Sequence, residues 1–300
     1  MSYLVRMSYV CSAAFFLVHL ALGAAVRGVS PRVTRAAERM QPAAGARLLF
    51  ALRMLPWVVS LAVVLALCVP SYLRFEQDAA ESVGLPCLVL SGICFTMLAA
   101  SAVRGVWALL TLNRLAMEPG RALFALVGFV RPRLVISAGV RETLSAGQME
   151  AALLHEDAHR RAGDNWKRLA MLLTPEPLPG LRCFRMLETQ WARLAEWAAD
   201  DAAVQAEPLR AVALAEAMLR VARIGGRQEG LAPVSMLVAS GDDLGQRVQR
   251  LLDPEMADAA PRVLWPRLVA LGGLAAVVVA VVYGATVLYV VHTAMERLVQ

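Results

Sequence analysis

Apolar positions in this chain follow two patterns. Some lie in long runs almost free of charge; others recur at helical spacing among polar residues. The long runs are Ser8 to Val26, Met54 to Tyr72, Leu85 to Val103 and Leu268 to Val291. A helix rises about 1.5 Å per residue, so each run is long enough to cross roughly 30 Å of hydrocarbon. The pattern predicts four membrane helices, and Pro56 falls in the first turn of the second, where proline is tolerated. Between the third and fourth runs the pattern changes. Ala122 to Val127 and Leu134 to Ser137 are short apolar stretches separated by Gly128 and Pro132, which predicts a β-hairpin with Pro132 opening an edge strand. Helices are predicted over Ala146 to Ala162, Leu187 to Gln205, Pro208 to Arg223 and Asp242 to Leu252. Ser145 and Gln148 form a capping box at the start of the first of these, and Gly163 stops it. Leu169 to Leu173 is too short to span and is expected in a core, while Thr174 to Gly180 and Ile224 to Gly230 read as loops.

Composition strengthens the membrane reading. The chain of 300 residues is 58% hydrophobic, and its mean hydropathy of +0.56 is too high for an ordinary soluble protein. The net charge of +6 is carried by arginine, with Lys167 the single lysine. In a soluble protein that balance would point to nucleic acid. Here the arginines flank apolar runs, and no nucleic-acid-binding motif is present, so they read as a topology signal. Arg27, Arg32, Arg35, Arg39 and Arg47 face only Glu38 in the first loop, whereas Glu76, Asp78 and Glu81 dominate the second. The basic loop is expected in the cytoplasm, which puts both termini outside and the segment between the third and fourth runs inside. The first run is followed by further spans and is read as a retained helix, not a signal peptide. The expected organisation is a three-helix membrane region over 1–112, a cytoplasmic domain over 113–263, and a fourth membrane helix with a short outer tail over 264–300. About nine residues follow the last span, too few for an outer domain.

The chemistry concentrates at His155-Glu156-Asp157-Ala158-His159, an H-E-x-x-H pattern that holds half of the chain's four histidines. On a helix, His155 and His159 share a face and can grip one metal ion, with Glu156 beside them as a base toward water. A hydrolytic zinc site needs a third protein ligand. Glu196, 37 residues beyond His159 on a later helix, is the leading candidate; Glu188, Asp200 and Asp201 are rivals. Asp200, one turn past Glu196, is suited to hydrogen-bond a ligand histidine, and Asp164 could do the same. Leu134, Val135, Ile136 and Ser137 form a candidate edge strand for an extended substrate. His19 lies within the first run, where a neutral, hydrogen-bonded ring is expected. The five cysteines form no C-x-x-C pair and read as small buried residues. Cys68 and Cys87 flank one predicted outer loop, which leaves a disulfide between them open.

Arg131-Pro132-Arg133-Leu134-Val135-Ile136-Ser137-Ala138-Gly139-Val140, Leu144-Ser145, Leu153 to Asp164, Glu196-Trp197-Ala198-Ala199-Asp200 and Arg247 to Leu252 together resemble the BlaR/MecR-type membrane metallopeptidases. The resemblance implies a mainly α membrane protein of four transmembrane helices, with a cytoplasmic α+β gluzincin-like zinc protease domain between the third and fourth. It implies His155, His159 and Glu196 as ligands of one Zn2+, Glu156 as the catalytic base and Asp200 in support. It further implies a signalling endopeptidase whose protein substrate is a DNA-binding repressor. Family receptors carry an outer penicillin-binding sensor after the fourth span, and no such sensor is expected here. Asp157 stands where the family usually has an apolar residue, and Thr174 to Gly180 replaces a more regular connection. Two other readings stay open: a housekeeping membrane protease resembling the heat-shock or CAAX-processing enzymes, and a non-catalytic zinc-binding scaffold. The sequence also leaves a homo-oligomer open.

Overall fold

The computed structural model describes residues 2–76, 83–117, 124–127, 133–176, 182–225, 241–253 and 284–299. Helix α1 spans Tyr3–Glu38 and α2 spans Pro42–Val63; a π-helical turn over Val64–Cys68 leads into α3, Val69–Phe75. The π turn has a local cause. Pro70 has no N–H to donate, and its ring would clash with the carbonyl four residues back, on Ala66, inside that turn. Helix α4 covers Leu85–Met117. Three helices, Tyr3–Glu38, Pro42–Phe75 and Leu85–Thr111, are long and apolar enough to cross a membrane. The protein is thus a mainly α-helical membrane protein. Of the fourth predicted span, 268–283 lies outside the described residues; the described part continues as α11, Gly284–Val299. Ser71 Oγ donates to the Leu288 carbonyl of α11 at 2.7 Å.

At one end of the bundle, where α1 and α4 begin and α3 ends, Arg6 pairs with Glu76 at 3.0 Å. The Tyr3 hydroxyl there donates to the Tyr72 carbonyl at 3.2 Å. Below them Val10, Phe15, Phe16, Tyr72, Cys87 and Cys94 form an apolar core. All five cysteines are free thiols, so Cys68 and Cys87 form no disulfide.

At the other end the helices do not stop where the apolar runs stop. The stretch from Arg27 to Arg47, expected as a basic loop, is helix on both sides of a turn over Arg39, Met40 and Gln41. Its arginines hid a helical stripe: Val26, Ser30, Thr34 and Ala37 are buried at spacings of four, four and three. This polar extension of the hairpin builds a second core. Val26, Ala37, Ala46 and Leu49 pack with Met171, Phe184, Leu187, Trp191 and Leu194. Gly45 makes that closeness possible, because a Cβ there would stand 2.6 Å from the Ala37 carbonyl oxygen and 2.9 Å from Leu194 Cδ1. The region that carries the H-E-x-x-H helix therefore shares a core with the membrane helices.

Strands β1, Phe124–Val127, and β2, Arg133–Ile136, form an antiparallel pair in which Phe124 faces Ile136 and Val127 faces Arg133. The predicted turn residues, Gly128 and Pro132, lie outside the described residues. Ser137 is not in the strand as expected: it is the N-cap of the short helix α5, Ala138–Thr143. Next come α6, Ala146–Ala162, then α7, Asp164–Leu173, and α8, Arg182–Val204. Helices α9, Pro208–Gly225, and α10, Gly241–Leu252, follow. Val140, Leu144, Ala151, Ala152, Leu214 and Met218 form a third core, between α5, α6 and α9. In the Leu169 to Leu173 patch only Leu169 and Met171 are buried; Leu172 and Leu173 are exposed. Residues 177–180 of the following predicted loop, and 226–230 of the later one, lie outside the described residues.

Candidate metal centre

Helix α6 is fixed at both ends by its own sequence. The Gln148 N–H donates to Ser145 Oγ while the Gln148 side chain accepts from the Ser145 N–H, a reciprocal cap. At the other end Gly163 adopts φ 70°, which glycine takes without steric cost. The same glycine is the N-cap of α7, so the chain turns at once and places Asp164 at the first position of α7.

Within α6, His155 and His159 point the same way, and α8 brings Glu196 against them. His155 Nε2 and His159 Nε2 are 3.2 Å apart. Glu196 Oε2 lies 3.5 Å from the first and 3.4 Å from the second. Tetrahedral ligands held about 2.0–2.1 Å from one ion stand about 3.3–3.4 Å from each other. The three edges of this triangle fit that requirement, and the donor set of two imidazoles and one carboxylate suits a divalent ion. Among the described residues, this is the cluster of histidine, cysteine and acidic side chains that could hold a metal.

The far nitrogens of both rings face carboxylates. His155 Nδ1 lies 2.9 Å from Asp200 Oδ1, and His159 Nδ1 lies 2.8 Å from Asp164 Oδ2. Such partners fix ring orientation and leave Nε2 as the coordinating atom. The carboxylates are held in turn. Lys167 Nζ donates to Asp164 Oδ1 at 2.9 Å. Arg247, fully buried on α10, grips both oxygens of Asp200: Nε donates to Oδ2 at 2.8 Å and Nη2 to Oδ1 at 2.7 Å. Its third nitrogen, Nη1, stands 3.2 Å from Glu196 Oε2. Arg168 Nη2 donates to the other oxygen of Glu196 at 3.3 Å.

Charge and burial compete here. Burial alone would pull the His159 pKa down, but the carboxylates of Glu196 and Asp164 outweigh it and push the ring up to about 10. His155 is raised for the same reason, by Asp200 and Glu196 against burial. Burial alone would raise the acids, yet Glu196 is held well below the carboxylate range by His159, His155 and Arg247. Asp200 is lowered by Arg247 and His155, and Asp164 by His159 and Lys167. In the metal-free protein the cluster therefore favours positive charge at the point where the three donor atoms converge.

Glu156 is buried and lines a cavity of about 390 Å³ together with Leu134, Leu153, Leu154, Glu150, Asp157 and Arg160. Strand β2 thus shares a wall with the helix that carries the two histidines. Of the other candidate strand residues, Val135 and Ile136 are half-buried, and Ser137 caps α5. The rival ligands are elsewhere: Glu188 pairs with Arg53 at 2.8 Å, and Asp201 is held by both terminal nitrogens of Arg250, at 2.6 and 2.8 Å. Asp157 is on the cavity wall but is not one of the three donors; it pairs with Arg160 and Arg161.

Sequence reasoning gave Arg168 no role and named Arg247 only as part of the stretch Arg247 to Leu252, with no role at the site. The available signal was the pairing of Arg247 and Arg250, three apart on one short helix, with the adjacent acids Asp200 and Asp201. Comparison with family models, with curated proteins and with solved structures finds no match to this chain.

Proposed function

We propose that this protein is a zinc-dependent endopeptidase of the cytoplasmic membrane, with His155, His159 and Glu196 as ligands and Glu156 as base. The observation that carries this reading is the triangle of donor atoms, backed by Asp200 and Asp164; Glu156, next to His155 on α6, lines a cavity. When bound, the divalent ion would acidify water and polarise the scissile carbonyl. Glu156 takes the proton of the attacking water and passes it to the leaving amine. Asp200 and Asp164 hold the two imidazoles in the required tautomer, and Arg247 holds Asp200. The edge of β2 around Leu134 aligns an extended segment by strand addition, with one substrate side chain in the cavity beside Glu156. The resemblance to BlaR/MecR-type peptidases supports a gluzincin-like arrangement, a fourth span, and a repressor-type protein substrate in signal transduction. The arginine-rich residues 27–47, packed against α8, support a cytoplasmic site under the positive-inside rule.

Elemental analysis of the purified full chain in detergent tests this. Wild type and Glu156→Gln are expected to hold about one zinc per chain, and Glu196→Ala to lose it. A membrane fraction containing Glu156→Gln is expected to retain a substrate that wild type cleaves. Absence of metal from wild type, even after zinc is added back, would remove the enzyme reading.

A further inference from the structure

Helix α7 touches the metal centre at one end and the membrane helices at the other. It is ten residues long, roughly 15 Å. Its first residue, Asp164, holds His159. One turn on, Arg168 reaches Glu196. Its last turn contains no basic residue, although the C-terminal carbonyls of a helix attract positive charge. That charge comes from α2. Arg53, 2% exposed, donates from Nη2 to the carbonyls of Met171 at 3.2 Å and Thr174 at 3.4 Å. Its Nε donates to Glu188 of α8 at 2.8 Å, and the guanidinium stacks 4.9 Å over Phe184.

The other spans grip the same point. His19 of α1, itself buried, meets the Pro175 carbonyl at 3.1 Å. Arg104 of α4 pairs with Glu176 at 3.9 Å. Gly105, next to it, lies so close to α7 that a Cβ there would stand 2.4 Å from Leu173 Cδ2. The C-terminal end of α7 is therefore held by three membrane helices at once, while its N-terminal end holds a ligand histidine.

We propose that Arg53 is a positioning residue of the metal centre, acting through α7, so that the site responds to how the membrane helices are packed. This rests on the reading of His155, His159 and Glu196 as a metal site. Loss of the clamp frees the C-terminal end of α7, tilts the helix, and withdraws Asp164 from His159 and Arg168 from Glu196.

The test is zinc affinity of the full chain in detergent, by competition with a chromophoric chelator, beside thermal unfolding of the metal-free protein. Arg53→Met is expected to weaken zinc binding about tenfold, the lower end of what loss of an outer partner costs. Arg53→Lys, which keeps the charge but loses the fork, should fall between. The control is Arg6→Met, which breaks a buried arginine pair at the opposite end of the same bundle. It should lower unfolding temperature and leave zinc affinity unchanged. Wild-type affinity in Arg53→Met, or an equal loss in Arg6→Met, would overturn the proposal. If Arg53→Met does not fold, His19→Phe decides: it keeps the ring against Phe15 and loses the polar contacts to the Pro175 and Pro56 backbone. Weakened zinc binding supports the proposal, and unchanged binding overturns it. Failure of wild type to bind zinc is a different result, which removes the metal-site reading itself.

Discussion

The two ends of the bundle both bury charge, but they neutralise it differently. At the end where α1 begins, Arg6 and Glu76 meet as one cation and one anion, with side chains 3% and 11% exposed. The two charges meet one to one. Around His155 and His159, by contrast, three carboxylates, Glu196, Asp200 and Asp164, are themselves held by Arg247, Arg168 and Lys167, and they surround two imidazole nitrogens that face each other at 3.2 Å. With each Nδ1 turned to a carboxylate, the two Nε2 atoms are left to share a proton or a cation. The comparison separates charge buried for structure, which is complete in pairs, from charge buried for a site, which converges on a point.

Removing Arg247 alone at one end, and the whole Arg6–Glu76 pair at the other, should expose this difference most strongly. Arg247→Met removes the partner of Asp200 and a neighbour of Glu196, both fully enclosed, and is expected to cost about 3–5 kcal/mol in the metal-free protein. Replacing both Arg6 and Glu76 by methionine removes a whole pair and is expected to be close to neutral. Chemical unfolding in detergent reads both. Equal costs at the two ends would break the comparison.

The second effect is pH dependence. His159 has a folded pKa of about 10 against an ordinary value of 6.5. Its contribution to the metal-free protein is fully present below about pH 6.5 and is lost as the pH rises toward 10. The lowered acids Asp164, Asp200 and Glu196 act in the opposite sense, with stability present above their ordinary values and lost as the pH falls through their folded ones. Zinc requires neutral imidazoles and competes with those protons. The gap in unfolding temperature between zinc-loaded and metal-free protein should therefore widen from pH 6.5 upward. A gap that narrows would contradict the charge assignment.

Much of this site can be read from the sequence because its parts are local. The capping box at Ser145 and Gln148, the stop at Gly163, and the spacing of His155 and His159 need only helix geometry. Glu196 and Asp200 are legible as a pair one turn apart. Arg247 is not, because its role depends on α10 folding back onto α8 across residues that carry no pattern. The second core is obscured for another reason. Arg27 to Arg47 looks like a loop when charge is weighed first, yet its buried positions are small or polar: Ser30, Thr34, Ala37, Gly45 and Ala46. Hydropathy does not report small residues that let helices approach closely. The strand boundary at Ser137 fails because a serine fits an N-cap as well as a strand end.

The smallest expected effect comes from a charge that is adjacent in sequence but not enclosed. Asp157 sits between Glu156 and Ala158 in the motif, yet its partners are Arg160 and Arg161, whose side chains are 59% exposed. The hydrogen bond from Arg160, with the nearby positive charge, holds the Asp157 carboxyl below its ordinary pKa. Solvent screens such contacts, so they add little. Asp157→Leu should leave zinc affinity within about twofold of wild type, because no ligand loses a partner. Its effect on unfolding should be small and should shrink further in high salt. A tenfold change in zinc binding would mean that charge on the outer face of α6 reaches the site, and that enclosure is not what distinguishes the two kinds of buried charge.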